Sequence, residues 1–161
     1  MIETHDLAAR PRVGQFSPFA ELQQSLPSRV ADISPSVEQL MRFLKPLIHE
    51  FHNEDGNELD IEVAVREAIA NAVVHGNRED PQKWVYVNCR CAPDGEVLVT
   101  VRDEGQGFDS RALPDPTDEA NLLLTHGRGL HLMQAFMDEV GFEENGRIVR
   151  MRKLLRPSDQ E

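Results

Sequence analysis

Three short segments of the chain carry residue types that together suit the binding of a nucleotide. The first, residues 67–77, has a carboxylate at Glu67 and an amide at Asn71, one helical turn apart. The second, residues 103–109, has an acid and two glycines at the end of a strand-like run. The third, residues 127–130, has two glycines at the start of a helix-like run. Their joint occurrence, in this order, predicts an ATP site.

Glu67 and Asn71 share one stripe of a helix predicted over residues 58–75. This helix is apolar nearly all round, so the two polar side chains are expected to lie in a narrow polar slot. There the Glu67 carboxylate could accept a proton from a hydroxyl group, and the Asn71 amide oxygen could ligate Mg²⁺, which prefers oxygen. Taken alone, the pair is better explained as a structural hydrogen bond.

Asp103 follows an alternating run that predicts a strand over residues 96–102. Its carboxylate could accept a hydrogen bond from an adenine amino group. Gly105 and Gly107 would let the backbone approach the base closely. Without the other motifs, a polar turn between a strand and a helix explains this segment equally well.

Gly127, Arg128 and Gly129 precede a helix that the pattern places from about Leu130. The free N–H groups and the positive dipole end of such a helix could meet phosphate oxygens, and Arg128 could add positive charge. A plain loop-to-helix joint is the commoner explanation of two such glycines. The loop of lid length at residues 110–126, between the second and third motifs, favours the nucleotide site.

At these residues the sequence resembles the GHKL superfamily, whose members have the Bergerat ATP-binding fold, and within it the bacterial anti-sigma factor serine/threonine kinases. The resemblance covers residues 26–155. Residues 67–77 match the N-box of the family, residues 103–109 its G1 box and residues 127–132 its G2 box. Residues 114–123 resemble its lid.

The resemblance implies that Glu67 is the general base that activates a serine or threonine hydroxyl, and that Asn71 holds the metal, Mg²⁺. By the same match Asp103 binds adenine, while Gly105 and Gly107 shape the pocket for the base. The remaining nucleotide contacts are assigned to Gly127, Arg128, Gly129 and Leu130.

In the resembled family, the phosphorylated partner is a small STAS-domain anti-anti-sigma protein, and the kinase alternatively sequesters a sigma factor. The resemblance therefore implies both partners, with ATP and Mg²⁺ as cofactors, and it makes a homodimer an expectation. Two alternatives stay open: a nucleotide-dependent binding switch without kinase turnover, and an ATPase module cut from a larger multidomain regulator. Residues 147–149 depart from the family, because some relatives have a threonine near this point of the last strand.

The elements that must position these residues predict an α+β two-layer sandwich, in which helices cover one face of a mainly antiparallel sheet. The expected kinase domain covers residues 26–155, preceded by an arm of unknown role at residues 1–25 and followed by a tail at residues 156–161. Ser34 or Ser36 is expected to cap the first helix. Gly76 and Asn77 are expected to end the second helix in a left-handed cap. Hairpins are predicted to turn at residues 92–95 and near residues 145–146.

The composition narrows the choice of partner and compartment. A formal charge of −11 disfavours a nucleic-acid partner, because such proteins gain most of their affinity from Lys and Arg set against phosphates. No apolar run approaches the roughly 20 residues that cross a bilayer, and the first residues lack the features of a signal peptide. We therefore expect a cytoplasmic protein. Cys89 and Cys91 alternate within a strand-like run, which predicts two buried thiols on one face and no zinc site or disulfide.

Overall fold

The structure is a computed structural model that describes residues 19–51, 57–107 and 125–155, with the backbone alone at residues 125–127. A five-stranded sheet and three α-helices form two layers in this part of the chain. The elements are β1 (Ala20–Pro27), α1 (Ile33–Glu50), α2 (Asn57–Asn71), β2 (Trp84–Cys91), β3 (Glu96–Arg102), α3 (Thr125–Phe136), β4 (Glu139–Glu143) and β5 (Ile148–Leu154). A 3₁₀ turn (Val30–Asp32) precedes α1, and a π-helical turn (Ala72–Gly76) follows α2.

The strands are ordered β1-β2-β3-β5-β4, and every neighbouring pair is antiparallel. Side chains alternate between the two faces of the sheet, as the period of two in the sequence requires. The inward positions of β2 and β3 are all buried: Val85, Val87, Cys89, Cys91, Val97, Val99 and Val101. Both cysteines are free thiols. The predicted α+β sandwich and the two buried thiols are therefore confirmed.

The three helices cover the inner face of the sheet, and α2 lies between α1 and α3. Ile61, Ala64, Val65, Ala68 and Ile69 of α2 are buried in the hydrophobic core. This central position explains why the helix is apolar nearly all round, since it has protein neighbours on several sides. The residues at its C-terminal end are consequently held by a well-packed frame.

The end of the second helix differs from the prediction. After α2 the chain makes a π-helical turn, closed where the Asn77 N–H donates to the Ala72 carbonyl at 2.8 Å. Asn77 has a φ of −87°, and the left-handed residues are Arg78 and Glu79, at 53° and 56°. The expected left-handed cap at Gly76 and Asn77 is therefore wrong, because tertiary hydrogen bonds of Asn77 determine the conformation of this segment.

Two helix starts were also misplaced by the sequence pattern. Helix α1 follows Asp32, so Ser34 and Ser36 lie inside it and neither is its cap. Helix α3 begins at Thr125, which puts Gly127 and Gly129 inside its first turns instead of before a helix starting near Leu130. Both hairpin turns are where they were predicted, with Gly95 and Gly146 in left-handed conformations.

Strand β1 extends the sheet beyond the expected domain boundary. It pairs with β2 from Ala20 to Pro27, so residues 20–25 of the predicted arm belong to the sheet. Residues 1–18, most of the predicted lid and the predicted tail at 156–161 lie outside the described residues. Of the helices within the described ranges, none combines the length and apolar character needed to cross a membrane.

Pro46 lies inside α1 and leaves the carbonyl of Arg42 without its usual helical donor. We expect Pro46→Ala to raise the free energy of unfolding by about 1–2 kcal/mol, because alanine restores the donor at a small cost in chain entropy. Chemical denaturation measures the change. Arg42→Ala, an exposed change on the same helix that leaves the backbone intact, should have little effect; an equal gain there would contradict the explanation.

Candidate functional site

A cavity of about 520 Å³ opens between the C-terminal end of α2, the ends of β3 and β5, and α3. Four of the predicted site residues line it: Asn71, Asp103, Gly107 and Leu130. Much of the wall is apolar and includes Ala72, Val101, Met133, Phe142 and Val149. A mostly apolar cavity that also contains polar groups is typical of sites that bind small organic ligands.

Asp103 is the buried carboxylate of this cavity, with 7% of its surface exposed. It lies just after β3, where its N–H donates to the Arg147 carbonyl at 2.9 Å and its Oδ1 accepts the Gly105 N–H at 2.8 Å. Burial raises the pKa of Asp103, and this effect outweighs the Gly105 N–H and the charges of Arg147 and Lys83, which lower it. A desolvated carboxylate in an apolar cavity suits recognition of an N–H donor on a base.

Two glycines allow the end of the helical segment to touch the loop after β3. A Cβ atom at Gly76 would overlap the Asp103 carboxylate, and one at Gly105 would overlap the Gly76 carbonyl oxygen. The absence of side chains at both positions is therefore required for this contact. Gly105 was assigned to the pocket from the sequence, whereas the need for glycine at Gly76 was missed, because that residue was explained as a helix cap.

Glu67, Asn71 and Gly129 meet where α2 packs against α3. A Cβ atom at Gly129 would lie 2.9 Å from Glu67 Oε2 and 3.1 Å from Asn71 Nδ2. In the part of the chain that the structure describes, neither the Glu67 carboxylate nor the Asn71 amide has a hydrogen-bond or ion-pair partner. Among the described residues, the two side chains therefore do not form the structural hydrogen-bond pair that their spacing alone suggested.

The other predicted positions lie around these two centres. Gly107 has a φ of 79° and packs against the Asn145 carbonyl, so it too is placed where a side chain would not fit. Gly127 and Arg128 lie in the first turn of α3, whose N–H groups have no partners within the helix. The Arg128 side chain is exposed. The roles of these residues remain predictions.

The cavity wall includes three cationic residues that the motifs did not identify: Arg78, Lys83 and Arg147. Arg147 and Val149 come from the stretch that departs from the resembled family, and both form part of the cavity wall. Arg78 is left-handed and follows the π-helical turn. Their positions depend on how separate segments pack, so no local pattern in the sequence could have identified them.

The residues near Gly129 include an oxygen donor that suits Mg²⁺. The Asn71 amide supplies an oxygen donor, which Mg²⁺ prefers. Within residues 19–51, 57–107 and 125–155, no group of three or more His, Cys, Asp or Glu side chains could hold a metal ion. In proteins Mg²⁺ usually keeps several water ligands and takes others from substrate phosphates.

Comparison with known proteins yields a family profile, sequence relatives and a solved structure that resemble this chain. The sequence profile named "Histidine kinase-like ATPase domain" matches residues 30–153. An anti-sigma F factor from Heyndrickxia coagulans is 38% identical over 100 residues, covering 58% of this chain and 67% of the relative. One from Oceanobacillus iheyensis is 34% identical over 105 residues, covering 62% and 70% respectively. A solved histidine kinase domain from the Erythrobacter litoralis EL346 blue-light activated histidine kinase has a TM-score of 0.46, 20% identity, and coverage of 72% of this chain and 61% of that one.

Asp103→Asn should weaken binding of ADP by about 10- to 100-fold, because a hydrogen bond to a charged group contributes about 1.5–3 kcal/mol. Isothermal titration calorimetry in the presence of Mg²⁺ measures the change. Asp94→Asn, the same substitution in the exposed β2–β3 turn, is the matched control and should bind as the wild type does. Equal affinities for all three proteins would contradict the role of Asp103.

The Asp103→Asn variant should also change how the free energy of unfolding depends on pH. Since the folded-state pKa of Asp103 lies above its ordinary value of 3.8, the folded protein retains this proton at pH values where the unfolded chain has lost it. The ionised form therefore costs stability. Relative to the wild type, the Asp103→Asn variant should gain free energy of unfolding as the pH rises from below 3.8 through the folded-state pKa. A pH-independent difference would contradict the buried-carboxylate explanation.

Gly129→Ala should displace Glu67 and Asn71, since the added methyl group would contact both side chains. We expect ATP affinity with Mg²⁺ to fall about tenfold or more, because the displaced side chains lose contacts to the nucleotide and its metal, and one hydrogen bond to a charged group is worth about that factor. The free energy of unfolding should change little, since alanine is a better helix former than glycine and offsets the new contact. Gln134→Ala, an exposed change on the same helix, should leave ATP affinity unaltered.

Proposed function

We propose that this chain, which belongs to the histidine kinase-like ATPase domain family, is an ATP-dependent protein kinase of the anti-sigma factor type. Its substrate is a serine or threonine of a STAS-domain anti-anti-sigma protein in the cytoplasm, and a sigma factor is its alternative partner. The names of the anti-sigma F factor relatives support a sigma factor as a partner. The observation that carries the proposal is the meeting of Glu67, Asn71 and Gly129 beside a cavity that also contains the buried Asp103.

The spacing of these groups suits a nucleotide. Gly76 lies nine positions after Glu67, which corresponds to about 13 Å along a helix. The base would lie against Asp103 and the apolar wall, and the phosphates would extend toward Asn71 and the first turn of α3. The N–H groups and the positive dipole end of that turn favour phosphate oxygens.

Each residue then has a separate part in phosphoryl transfer. The Glu67 carboxylate accepts the proton of the attacking hydroxyl, whose oxygen forms a bond to the γ-phosphorus while the bond to the β–γ bridging oxygen breaks. Asn71 offers an oxygen ligand to Mg²⁺, and the bound ion supplies charge neutralisation at the phosphates. Asp103 fixes the base, so that the triphosphate reaches Glu67 in one orientation.

Glu67→Gln retains the size of the side chain and removes the base. Phosphoryl transfer should fall by about 10² to 10⁴, the usual contribution of a general base, while ATP affinity changes less than about threefold. The assay incubates the protein with MgATP and each STAS-domain protein of the same organism, and measures the gain of one phosphate by intact mass. Glu62→Gln, five residues earlier on α2 and paired with Arg66, is the control and should retain transfer.

Unchanged transfer by Glu67→Gln would contradict the assignment of the base. Partner binding that depends on nucleotide, with no phosphate gained by any STAS-domain protein, would contradict the kinase and favour a binding switch. Failure of the wild-type protein to bind ATP would contradict both functions.

A further inference from the structure

Asn77 is a buried amide that joins four segments around the cavity. It is 1% exposed, and none of the three motifs gives it a chemical role. Its Nδ2 donates to Ser28 Oγ at 2.6 Å and to the Trp84 carbonyl at 2.9 Å. Its Oδ1 accepts the Glu104 N–H at 2.7 Å. Both N–H groups of the amide and one lone pair of its oxygen are thus hydrogen-bonded to residues at the ends of β1, β2 and β3.

The orientation of this amide follows from its partners. The Trp84 carbonyl can only accept a hydrogen bond, and the Glu104 N–H can only donate one, so Nδ2 must face the first and Oδ1 the second. The Glu104 side chain adds a second link to the same strand, since it accepts the Trp84 N–H at 2.8 Å and the Tyr86 hydroxyl at 3.0 Å. Residues 77, 84 and 104 therefore form one connected network.

This network lies directly beside the base-recognising carboxylate. Asn77 follows Gly76, against which the Asp103 carboxylate packs, and Glu104 follows Asp103. The hydrogen bond from the Glu104 N–H to Asn77 thus joins the same two segments that meet at the Gly76–Gly105 contact. The Asp103 side chain lies between these two connections. Ser28 extends the network, because its Oγ donates to the Lys83 carbonyl at 3.0 Å.

We propose that Asn77 is a positioning residue for base recognition: its bond to the Glu104 N–H holds Asp103 at the depth in the cavity where it distinguishes adenine from guanine. The role deepens the proposed function and rests on it. Asn77 does not itself touch the base. Without its Oδ1, the partly buried Glu104 N–H loses its acceptor, and the loop carrying Asp103 can shift away from Gly76.

The test is the preference for ATP over GTP, measured as the ratio of the two dissociation constants by calorimetry in the presence of Mg²⁺. Asn77→Ala should reduce this preference about tenfold or more, because a displaced Asp103 loses its hydrogen bond to the adenine amino group, and a hydrogen bond to a charged group is worth at least about that factor. Val37→Ala is the control for lost stability, since Val37 is fully buried in α1 and is absent from the cavity wall. It should lower the free energy of unfolding and leave the preference unchanged.

A second control removes a different part of the network. Ser28→Ala takes away one acceptor of Nδ2 but leaves the bond from Glu104 to Oδ1, so the preference should be retained. Where Asn77→Ala does not fold, Asn77→Ser replaces it. The serine hydroxyl is one bond shorter than the amide and keeps a polar group toward Ser28, so the same loss of preference is expected.

The outcomes separate this role from the proposed function. A wild-type protein that prefers ATP, together with an Asn77 variant that retains the full preference, would overturn the positioning role alone. An equal loss of preference in Val37→Ala would also overturn it, since the effect would then follow from stability. A wild-type protein that binds neither nucleotide would overturn the proposed function and this role with it.

Discussion

The contact between Gly76 and the segment from Asp103 to Gly105 is the constraint on which the geometry of the cavity depends. It brings the end of a helix against the end of a strand so closely that neither glycine could carry a side chain. The Asp103 carboxylate is enclosed there, and burial raises its pKa. The stability of the rest of the fold must offset the cost of this desolvated charge.

The free-energy cost of burying the Asp103 carboxylate is offset by the packing of α2 between two helices and over an antiparallel sheet. Its buried side chains fix the helix, and the positions of Glu67 and Asn71 follow from that rigid support. Groups on regular elements are held more accurately than groups on loops. The cavity thus has carboxylate and amide groups on a rigid helix and a buried acid at a strand end, while the apolar wall limits the access of water.

The sequence predicted the features that depend on local pattern. Alternation in β2 and β3, the apolar character of α2 and the turn residues of both hairpins each report on neighbours within a few positions, so the two-layer fold could be derived. The places of Asn71 and Asp103 followed for the same reason. Strand β1 was missed because Gln24 stands between the inward-facing Leu22 and Leu26 and interrupts the apolar alternation, and the conformation of the strand comes from pairing with β2.

The rest could not be predicted because it depends on contacts between distant segments. Gly76 and Asn77 match the local signal for a left-handed helix cap, yet bonds to Ser28, Trp84 and Glu104 give them a different conformation. Ser34 and Ser36 match the signal for a cap, but α1 begins before either residue. The contact of Gly129 with Glu67 requires two helices to pack, and spacing in the sequence does not determine that distance.

The cations on the cavity wall make the electrostatic force on an approaching anion differ between long and short distances. With a net charge of −11, the protein repels a nucleotide from afar, whereas Arg78, Lys83 and Arg147 attract it at close range. Screening acts mainly beyond a Debye length, about 8 Å at physiological ionic strength, and affects partly buried charges much less. Moderate salt therefore weakens the distant repulsion before it weakens the attraction at contact, so the rate of nucleotide capture rises with ionic strength over that range.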